Sequence, residues 1–306
     1  MQDNLLTFKD TSVEQMQALL ALALNVKKSP SDYRDALKGK SLVALFEKPS
    51  LRTRVSFDIG IQKLGGHLVY LDSQSNNLAG REDTKDMALN LSCWCDGIIA
   101  RVFKHETLEE LAEHASVPVV NALCDLYHPC QALADYLAMA EIFHDVKGRT
   151  MAYIGDGNNV THSLLIVGAL LGVNQVVVTP VGHEANPEIV ALAKNLAQQT
   201  GASITELTDI TKLVQADVIY TDTWLSMGDN TPLAQIKETF MPYQVNEALM
   251  QQCGAKYVMH CQPAHRDLEI TSSLIDSPAS LLMMQAENRM HAQNAILITL
   301  LGNYVN

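Results

Sequence analysis

Residues suited to binding an anion cluster at positions 46–54, which read FEKPSLRTR. Two arginines, Arg52 and Arg54, lie close to two hydroxyl residues, Ser50 and Thr53. The apolar run before them predicts a buried strand, and the helical spacing of apolar residues after them places Ser50 at a helix N-cap. A helix N-terminus has free N–H groups and a partial positive charge, and guanidinium groups match phosphate oxygens. The segment predicts a phosphate site, although an ordinary capped helix with solvated arginines has the same sequence pattern.

Two further segments of the first half carry groups that could hold a carbonyl compound. Arg101 ends the apolar run GIIAR, so its guanidinium stands at the carboxyl end of a predicted strand, where ligands bind in open sheets. The sequence HPCQ places His128 near a helix cap and Gln131 one turn later. An imidazole and an amide there could polarise a carbonyl and hold its NH₂ group. A surface arginine and an ordinary helix cap are the alternative interpretations.

In the second half, the sequence GDGNN at 155–159 joins a predicted strand to a predicted helix. The pattern GxGxxG is not completed there, which argues against a nicotinamide-binding turn. Asn158 and Asn159 instead offer uncharged donors and acceptors, which suit a zwitterionic ligand. The sequence DTWLSMG follows another predicted strand and offers the carboxylate of Asp222 for a cation, with the hydroxyl of Ser226 nearby. An aspartate that merely closes a turn is the alternative.

Two motifs near the C-terminus complete the set of reactive groups. In HCQP, Cys261 follows His260 at the end of an apolar run. A thiol nucleophile needs a positioned base, and neighbouring strand residues point to opposite faces, so a binding role for Cys261 is favoured. The sequence ENR begins the last predicted helix, which would bring a third guanidinium, that of Arg289, to the same site.

The elements that must position these groups alternate between strand and helix in both halves of the chain. This alternation predicts an α/β fold with two doubly wound parallel-sheet domains of similar size. A polar segment, DVKGR, interrupts the pattern and separates a domain over residues 1–145 from a domain over 146–286. The last helix, within 287–306, is expected to pack back onto the first domain. Ligands are expected in the crevice between the domains, outside the carboxyl ends of the strands.

Composition excludes several classes of function. The 306 residues are 47% hydrophobic and 18% charged, as in globular proteins. The formal charge of −12 argues against a nucleic-acid surface. We expect no membrane contact and a cytoplasmic location, because neither a leader nor an apolar run of spanning length is evident. The six cysteines have neither zinc-site spacing nor a CxxC pair, so reduced thiols and no metal are predicted. No cofactor is expected either.

Five motifs in order, SLRTR, HPCQ, DTWLSMG, HCQP and ENR, resemble those of the aspartate/ornithine carbamoyltransferase family across nearly the whole chain. The first two motifs mark the superfamily, whereas DGNN, SMG and HCxP point to ornithine rather than aspartate. The resemblance implies transfer of a carbamoyl group from carbamoyl phosphate to the side-chain amine of L-ornithine, giving L-citrulline and phosphate. It also implies a homotrimer, or a multiple of trimers.

The resemblance implies that the domain over residues 1–145 binds carbamoyl phosphate and that the domain over 146–286 binds ornithine. It also assigns residues to each ligand. Those that would hold carbamoyl phosphate are Ser50, Leu51, Arg52, Thr53, Arg101, His128, Gln131, Cys261 and Arg289. Those with a catalytic role would be Arg52, Arg101, His128 and Cys261. Those that would hold ornithine are Asn159, Asp222, Ser226, Met227 and Gln262.

Two positions depart from the family pattern. Gln262 stands where the family has leucine, beside the reacting amine, so the preference for the acceptor amine is open. Asn77 stands where the family often has a glutamine that reaches a neighbouring subunit's site. Carbamoyl transfer to another amine, such as putrescine or an acylated ornithine, is one alternative function. A catalytically silent binding paralogue is another, although none of the expected anion-binding residues is missing.

Overall fold

The computed structural model describes residues 3–72, 82–224 and 231–302. The chain forms two compact units, Met1–Leu137 with Glu287–Asn306, and Ala138–Ala286. Each is a parallel-sheet α/β domain, which confirms the predicted fold class. The assignment of a ligand to each domain and the boundary at 145/146 stay predictions. No helix within the described ranges is long and apolar enough to cross a membrane.

Helices and strands alternate along the described chain. In order they are α1 (Val13–Lys28), β1 (Ser41–Phe46), α2 (Leu51–Lys63), β2 (His67–Asp72), α3 (Thr84–Ser92), β3 (Gly97–Arg101), α4 (His105–His114), β4 (Val119–Leu123), α5 (Pro129–Phe143), β5 (Thr150–Ile154), α6 (Asn159–Leu171), β6 (Asn174–Val178), α7 (Pro187–Thr200), β7 (Ile204–Leu207), β8 (Val218–Thr221), α8 (Leu233–Phe240), α9 (Glu247–Cys253), β9 (Tyr257–His260), α10 (Ser272–Ile275) and α11 (Leu282–Leu301). Single 3₁₀ turns cover Pro30–Tyr33, Ile210–Lys212 and Met241–Tyr243.

Each unit contains one parallel sheet whose strand order reverses beside its first strand. The described strands of the first unit follow the order β2-β1-β3-β4, and those of the second unit follow β7-β6-β5-β8-β9. The chain leaves β1 towards SLRTR and leaves β5 towards GDGNN, so both motifs follow the strand at which the order reverses. That is the position where open α/β sheets bind ligands.

An aspartate fixes the start of the first strand in each sheet. The carboxylate of Asp96 accepts a hydrogen bond of 2.8 Å from the N–H of Ser41, and that of Asp217 accepts one of 2.8 Å from the N–H of Thr150. The backbone hydrogen bond from Ser41 lowers the pKa of Asp96 below its usual value. Because each carboxylate holds a strand at its amino end, the loops at the opposite ends start from defined positions.

The sequence interpretation was wrong on the start of the last helix and missed two others. α11 begins at Leu282 rather than Glu287, and the N–H of Gln285 already bonds to the carbonyl of Leu281. Arg289 therefore lies about two turns inside the helix rather than at its start. The helix α8, with apolar residues at helical spacing, and the short α10 were not predicted from the sequence.

Candidate active site

The N-terminus of α2 is built as the sequence predicted. Ser50 is the N-cap residue, and its hydroxyl oxygen accepts a 3.2 Å hydrogen bond from the N–H of Thr53. The same oxygen lies 2.9 Å from Oγ1 of Thr53. Leu51 and Arg52 open the helix, where the first N–H groups have no acceptor within the helix. These groups suit an anion placed at the helix start.

Two guanidinium groups converge on the hydroxyl of Thr53, which is fully buried. Nη1 of Arg101, at the end of β3, donates to Thr53 Oγ1 over 3.2 Å, and Nη2 of Arg289, on α11, donates over 2.8 Å. Nη1 of Arg289 also donates to Oε1 of Gln131 over 2.7 Å. We call Ser50, Thr53, Arg101, Gln131 and Arg289 the Thr53 cluster.

The Thr53 cluster concentrates positive charge in a buried place. Burial, followed by the charges of Arg289 and Arg52, lowers the pKa of Arg101 to about 10. Nε of Arg101 is also buried, with no hydrogen-bond partner among the described residues. Arg101 stays cationic at neutral pH, so like charges face one another with little water between them. An anion bound at this point would offset both their repulsion and their lost solvation.

The HPCQ segment adds a neutral imidazole to the same unit. α5 begins at Pro129, so His128 stands directly before the helix and Gln131 in its first turn, as predicted. Burial, followed by the charges of Arg289 and Arg101, holds the pKa of His128 well below its usual value. The imidazole is therefore neutral at pH 7 and can donate a hydrogen bond without carrying charge. Burial raises the pKa of the Cys130 thiol to about 12, so that thiol is inert.

In the second unit, Asn158 has a double role that the sequence did not reveal. It is the N-cap of α6, and its Oδ1 accepts from the N–H groups of Val160 and Thr161 over 2.9 and 3.3 Å. Its Nδ2 donates to Oδ2 of Asp222 over 3.0 Å. The predicted ligand residue, Asn159, is the first residue of α6 and is partly buried. An Asn before a helix signals a cap, but only the fold brings its NH₂ group to Asp222.

Asp222 is the buried carboxylate at the centre of this half. Its Oδ1 accepts from the thiol of Cys261 over 2.8 Å and from the N–H of Thr223 over 2.7 Å. Trp224 is buried and stacked on Phe240, with ring centroids 5.6 Å apart. We call Asn158, Asp222 and Cys261 the Asp222 cluster. Cys261 thus lies with Asp222 in the second unit, and its thiol donates to that carboxylate.

The expectation that His260 and Cys261 point to opposite faces was wrong. β9 ends at His260, so Cys261 no longer alternates with it, and one ligand atom of each lies within 4.8 Å of the other and of Asp222. Such a trio could hold a metal ion. However, Nε2 of His260 lies 3.0 Å from Oε1 of Glu269, and Nδ1 accepts a 2.8 Å hydrogen bond from the N–H of Gln262. A metal would have to displace one of these partners.

The His260 ring has a different use, which is to hold the loop that follows it. Gln262 has a φ of 59°, in the left-handed region that residues other than glycine seldom adopt. Its N–H bonds to His260, whose ring is held in turn by the buried carboxylate of Glu269. Glu269 also accepts a 2.5 Å hydrogen bond from the N–H of His265. The loop that carries Gln262 is therefore fixed by a buried pair.

Gly157 allows the GDGNN loop to pack closely against the backbone of residues 183–185. Its N–H donates to the carbonyl of His183 over 2.8 Å, and a Cβ at this position would lie 2.2 Å from the backbone N of Ala185. The hydroxyl of Tyr153 donates to the carbonyl of Asp156 over 2.8 Å from beneath the loop. Burial, followed by the charge of Asp222, raises the pKa of Tyr153 well above its usual value, so the phenol stays a donor.

Three of the predicted site residues, Asn77, Ser226 and Met227, lie outside the described residues. The other predicted residues divide between the two units. The first unit holds Ser50, Leu51, Arg52, Thr53, Arg101, His128, Gln131 and Arg289, and the second unit holds Asn159, Asp222, Cys261 and Gln262.

Comparison with known proteins places both units in one family. The profile of "Aspartate/ornithine carbamoyltransferase, carbamoyl-P binding domain" matches residues 3–141, and that of "Aspartate/ornithine carbamoyltransferase, Asp/Orn binding domain" matches residues 147–300. A protein of Vibrio sp. (strain 2693) named ornithine carbamoyltransferase is 58% identical over 299 residues, 98% of this chain and 99% of that protein. The relative of the same name from Shewanella oneidensis is 55% identical over 295 residues, 96% and 98% of the two chains.

Solved structures agree with the sequence relatives. The ornithine carbamoyltransferase from Pyrococcus furiosus superposes with a TM-score of 0.94 at 43% identity, covering 99% of this chain and 98% of that chain. The enzyme of that name from Thermus thermophilus superposes with a TM-score of 0.88 at 41% identity, covering 98% and 99%.

We predict that Gly157→Ala destabilises the protein by about 2 kcal/mol or more, because the new methyl group meets backbone atoms that cannot move aside. The measurement is the urea-unfolding midpoint. The matched control is Gly201→Ala, where a Cβ would meet no atom of the other described residues within 4 Å beyond its chain neighbours. The cost there is limited to the left-handed φ of 79°, about 1 kcal/mol. Equal losses in the two variants would contradict the prediction.

Proposed function

Because the chain belongs to the aspartate/ornithine carbamoyltransferase family, we propose how its residues divide the reaction between the two units. The chain is an enzyme that transfers the carbamoyl group of carbamoyl phosphate to the side-chain amine of L-ornithine, giving L-citrulline and phosphate. It belongs among the transferases of arginine biosynthesis. The single observation that carries the assignment of residues is the convergence of Arg101 and Arg289 on the buried hydroxyl of Thr53.

We propose that the first unit binds carbamoyl phosphate. The N-terminus of α2, from Ser50 to Thr53, offers N–H groups and hydroxyls to the phosphate oxygens, and Arg52 adds a charge at the same helix start. Arg101 and His128 face the carbonyl oxygen of the substrate, and Gln131 holds its NH₂ group. Arg289, which lies on α11, neutralises part of the charge of the bound phosphate group. Cys261, in the second unit, is proposed to stand beside the reacting carbon.

We propose that the second unit binds ornithine. The carboxylate of Asp222 takes the α-ammonium group, because a carboxylate has about four acceptor sites and its three neighbouring donors leave room for a fourth. Asn159 and main-chain groups take the α-carboxylate. The residues that complete this half are Ser226, Met227 and Gln262. An uncharged thiol and an amide around one carboxylate suit an amino acid head that carries both charges.

The proposed chemistry is an acyl transfer stabilised by fixed donors. The neutral Nδ of ornithine attacks the carbamoyl carbon, and the C=O electron pair moves onto oxygen. Arg101, His128 and Thr53 are placed to stabilise that oxyanion. The oxyanion then re-forms the carbonyl as the C–O bond to phosphate breaks. Arg52 and the start of α2 stabilise the departing phosphate.

The proton released from the attacking amine goes to the phosphate, so no protein base is required. The low pKa of His128 supports this division of labour. A neutral imidazole that donates one N–H can stabilise an oxyanion, whereas an imidazolium beside Arg101 and Arg289 would add a third charge. His128 therefore acts as a hydrogen-bond donor throughout.

Two alternative functions can be compared with these contacts. Transfer to putrescine or to an acylated ornithine would leave Asp222 without an α-ammonium group to bind. A silent binding paralogue would not need the Thr53 cluster complete, yet each member described is in place. The backbone N–H of Gln262 is hydrogen-bonded to the ring of His260. Any effect of Gln262 on the choice of acceptor amine therefore comes from its side chain.

We also propose a homotrimer, or a multiple of trimers, located in the cytoplasm. An apolar stripe on α2 supports an interface, because Leu51, Val55 and Ile59 are 74%, 42% and 43% exposed at spacings of four residues. Val69 on the adjacent β2 is 42% exposed. Exposed apolar stripes of this kind mark surfaces that a partner covers. A second copy that covers this stripe would lie directly beside the N-terminus of α2.

We predict that Arg52→Ala lowers citrulline formation about 100-fold, because one charge-directed contact to the leaving group is lost. The assay is colorimetric, with carbamoyl phosphate and L-ornithine, putrescine or N-acetyl-L-ornithine. The control is Arg34→Ala, whose side chain is mostly exposed. Wild-type product with ornithine alone supports the function, and product with none of the amines contradicts it. Near-normal turnover by Arg52→Ala would contradict the role of Arg52.

We predict that Val55→Glu breaks the oligomer, because an unpaired carboxylate would be buried in the proposed interface. The measurement is the mass in solution by light scattering. The control is Val214→Glu, in the second unit, where the valine is 80% exposed. A wild-type mass that is not a multiple of three chains would contradict the trimer, and an unchanged mass for Val55→Glu would contradict an interface at this stripe.

A further inference from the structure

One buried carboxylate of the first unit takes no part in the mechanism above. Asp135 lies on α5, one turn after Gln131, and is fully buried. Its Oδ1 lies 2.7 Å from Nε2 of Gln131. Aspartates are seldom buried unless they are paired or hydrogen-bonded, because the charge loses its solvation. The burial of Asp135 therefore requires a structural or functional explanation.

The two partners of Gln131 together fix which way its amide points. A guanidinium has only donors, so Arg289 must face the amide oxygen, and it does so over 2.7 Å. The NH₂ group at the other end of the amide faces Asp135, where Nε2 of Gln131 donates to Oδ1 over 2.7 Å. Turning the amide by half a rotation would set NH₂ against guanidinium and oxygen against carboxylate. Both contacts would then repel, so a single orientation is stable.

We propose that Asp135 is a positioning residue that aims the carbonyl oxygen of Gln131 at the NH₂ group of carbamoyl phosphate. This rests on the proposed function of the Thr53 cluster. An amide oxygen has two lone pairs. Arg289 occupies one, and the other is available to an N–H donor of the substrate. Because Asp135 occupies the NH₂ end, Gln131 presents an acceptor rather than a donor.

The consequence is selection for a substrate that carries an NH₂ group. A site built to accept a hydrogen bond rejects an analogue that has no donor at that place, since its polar group is then left unpaired. A methyl ketone with the same shape as the carbamoyl group is such an analogue. Asp135 therefore acts through Gln131 on the choice of donor substrate, without touching the substrate itself.

The test compares two unreactive phosphonates that differ only at this point. Phosphonoacetamide has the NH₂ group, and acetonylphosphonate has a methyl group in its place. Their dissociation constants are measured by calorimetry on the full-length protein. We expect the wild type to bind the amide about tenfold more tightly or better. We expect Asp135→Ala to lose most of that ratio by weakening the amide and leaving the ketone unchanged.

Two further variants keep the test decisive. Asp135→Asn retains an oxygen that can accept from Gln131, so it should keep most of the ratio. Asp135→Ser, which leaves space for water, replaces Asp135→Ala if that protein does not fold. Glu141→Ala removes a carboxylate from the same helix and should change neither constant.

Equal weakening of both phosphonates, or of neither, in Asp135→Ala or Asp135→Ser would overturn the proposal. So would an Asp135→Asn protein that loses as much of the ratio as Asp135→Ala. Failure of the proposed function is separate, because it would appear as a wild type that makes no citrulline. Wild-type citrulline formation with an unaltered ratio in the variants would reject Asp135 alone.

Discussion

The structure of the first unit depends on holding two like charges against one buried hydroxyl. Arg101 and Arg289 both donate to Oγ1 of Thr53, and burial together with mutual repulsion lowers the pKa of Arg101. Such an arrangement is costly without an anion, because two like charges are held close together where burial has removed water from them. Its natural partner is a dianion, and the helix start at Ser50 adds further donors on the same side. The proposed ligand, carbamoyl phosphate, carries a phosphate group of that charge.

The two units differ in the sign of the charge that is buried at their candidate sites. The first unit gathers cations to overcome a chain whose formal charge is −12. The second unit surrounds one carboxylate, Asp222, with an amide and a thiol. The proposed dianion and zwitterion would thus meet different surroundings on similar folds. In each sheet one proposed ligand segment, SLRTR or GDGNN, follows the strand at which the order reverses, so shared topology places groups of different chemistry.

The sequence predicted what depends on local pattern. Ser50 as a cap, Arg101 at a strand end and Gln131 in a first helical turn are all readable from neighbours a few positions away. The contact between Arg289 and Thr53 joins residues 236 positions apart, so its geometry depends on the tertiary fold and not on local sequence pattern. The role of Asn158 towards Asp222 was hidden for the same reason. His260 was misread because the strand was assumed to continue past it.

The most direct test of the role of Thr53 is ligand-induced thermal stabilisation. Thr53→Val keeps the shape of the side chain and removes the hydroxyl on which both guanidinium groups converge. The measurement is the melting temperature as a function of phosphonoacetamide concentration in both proteins. We expect the wild type to be stabilised and the variant to need at least about tenfold more ligand for the same shift. Identical shifts in the two proteins would contradict a binding site organised around Thr53.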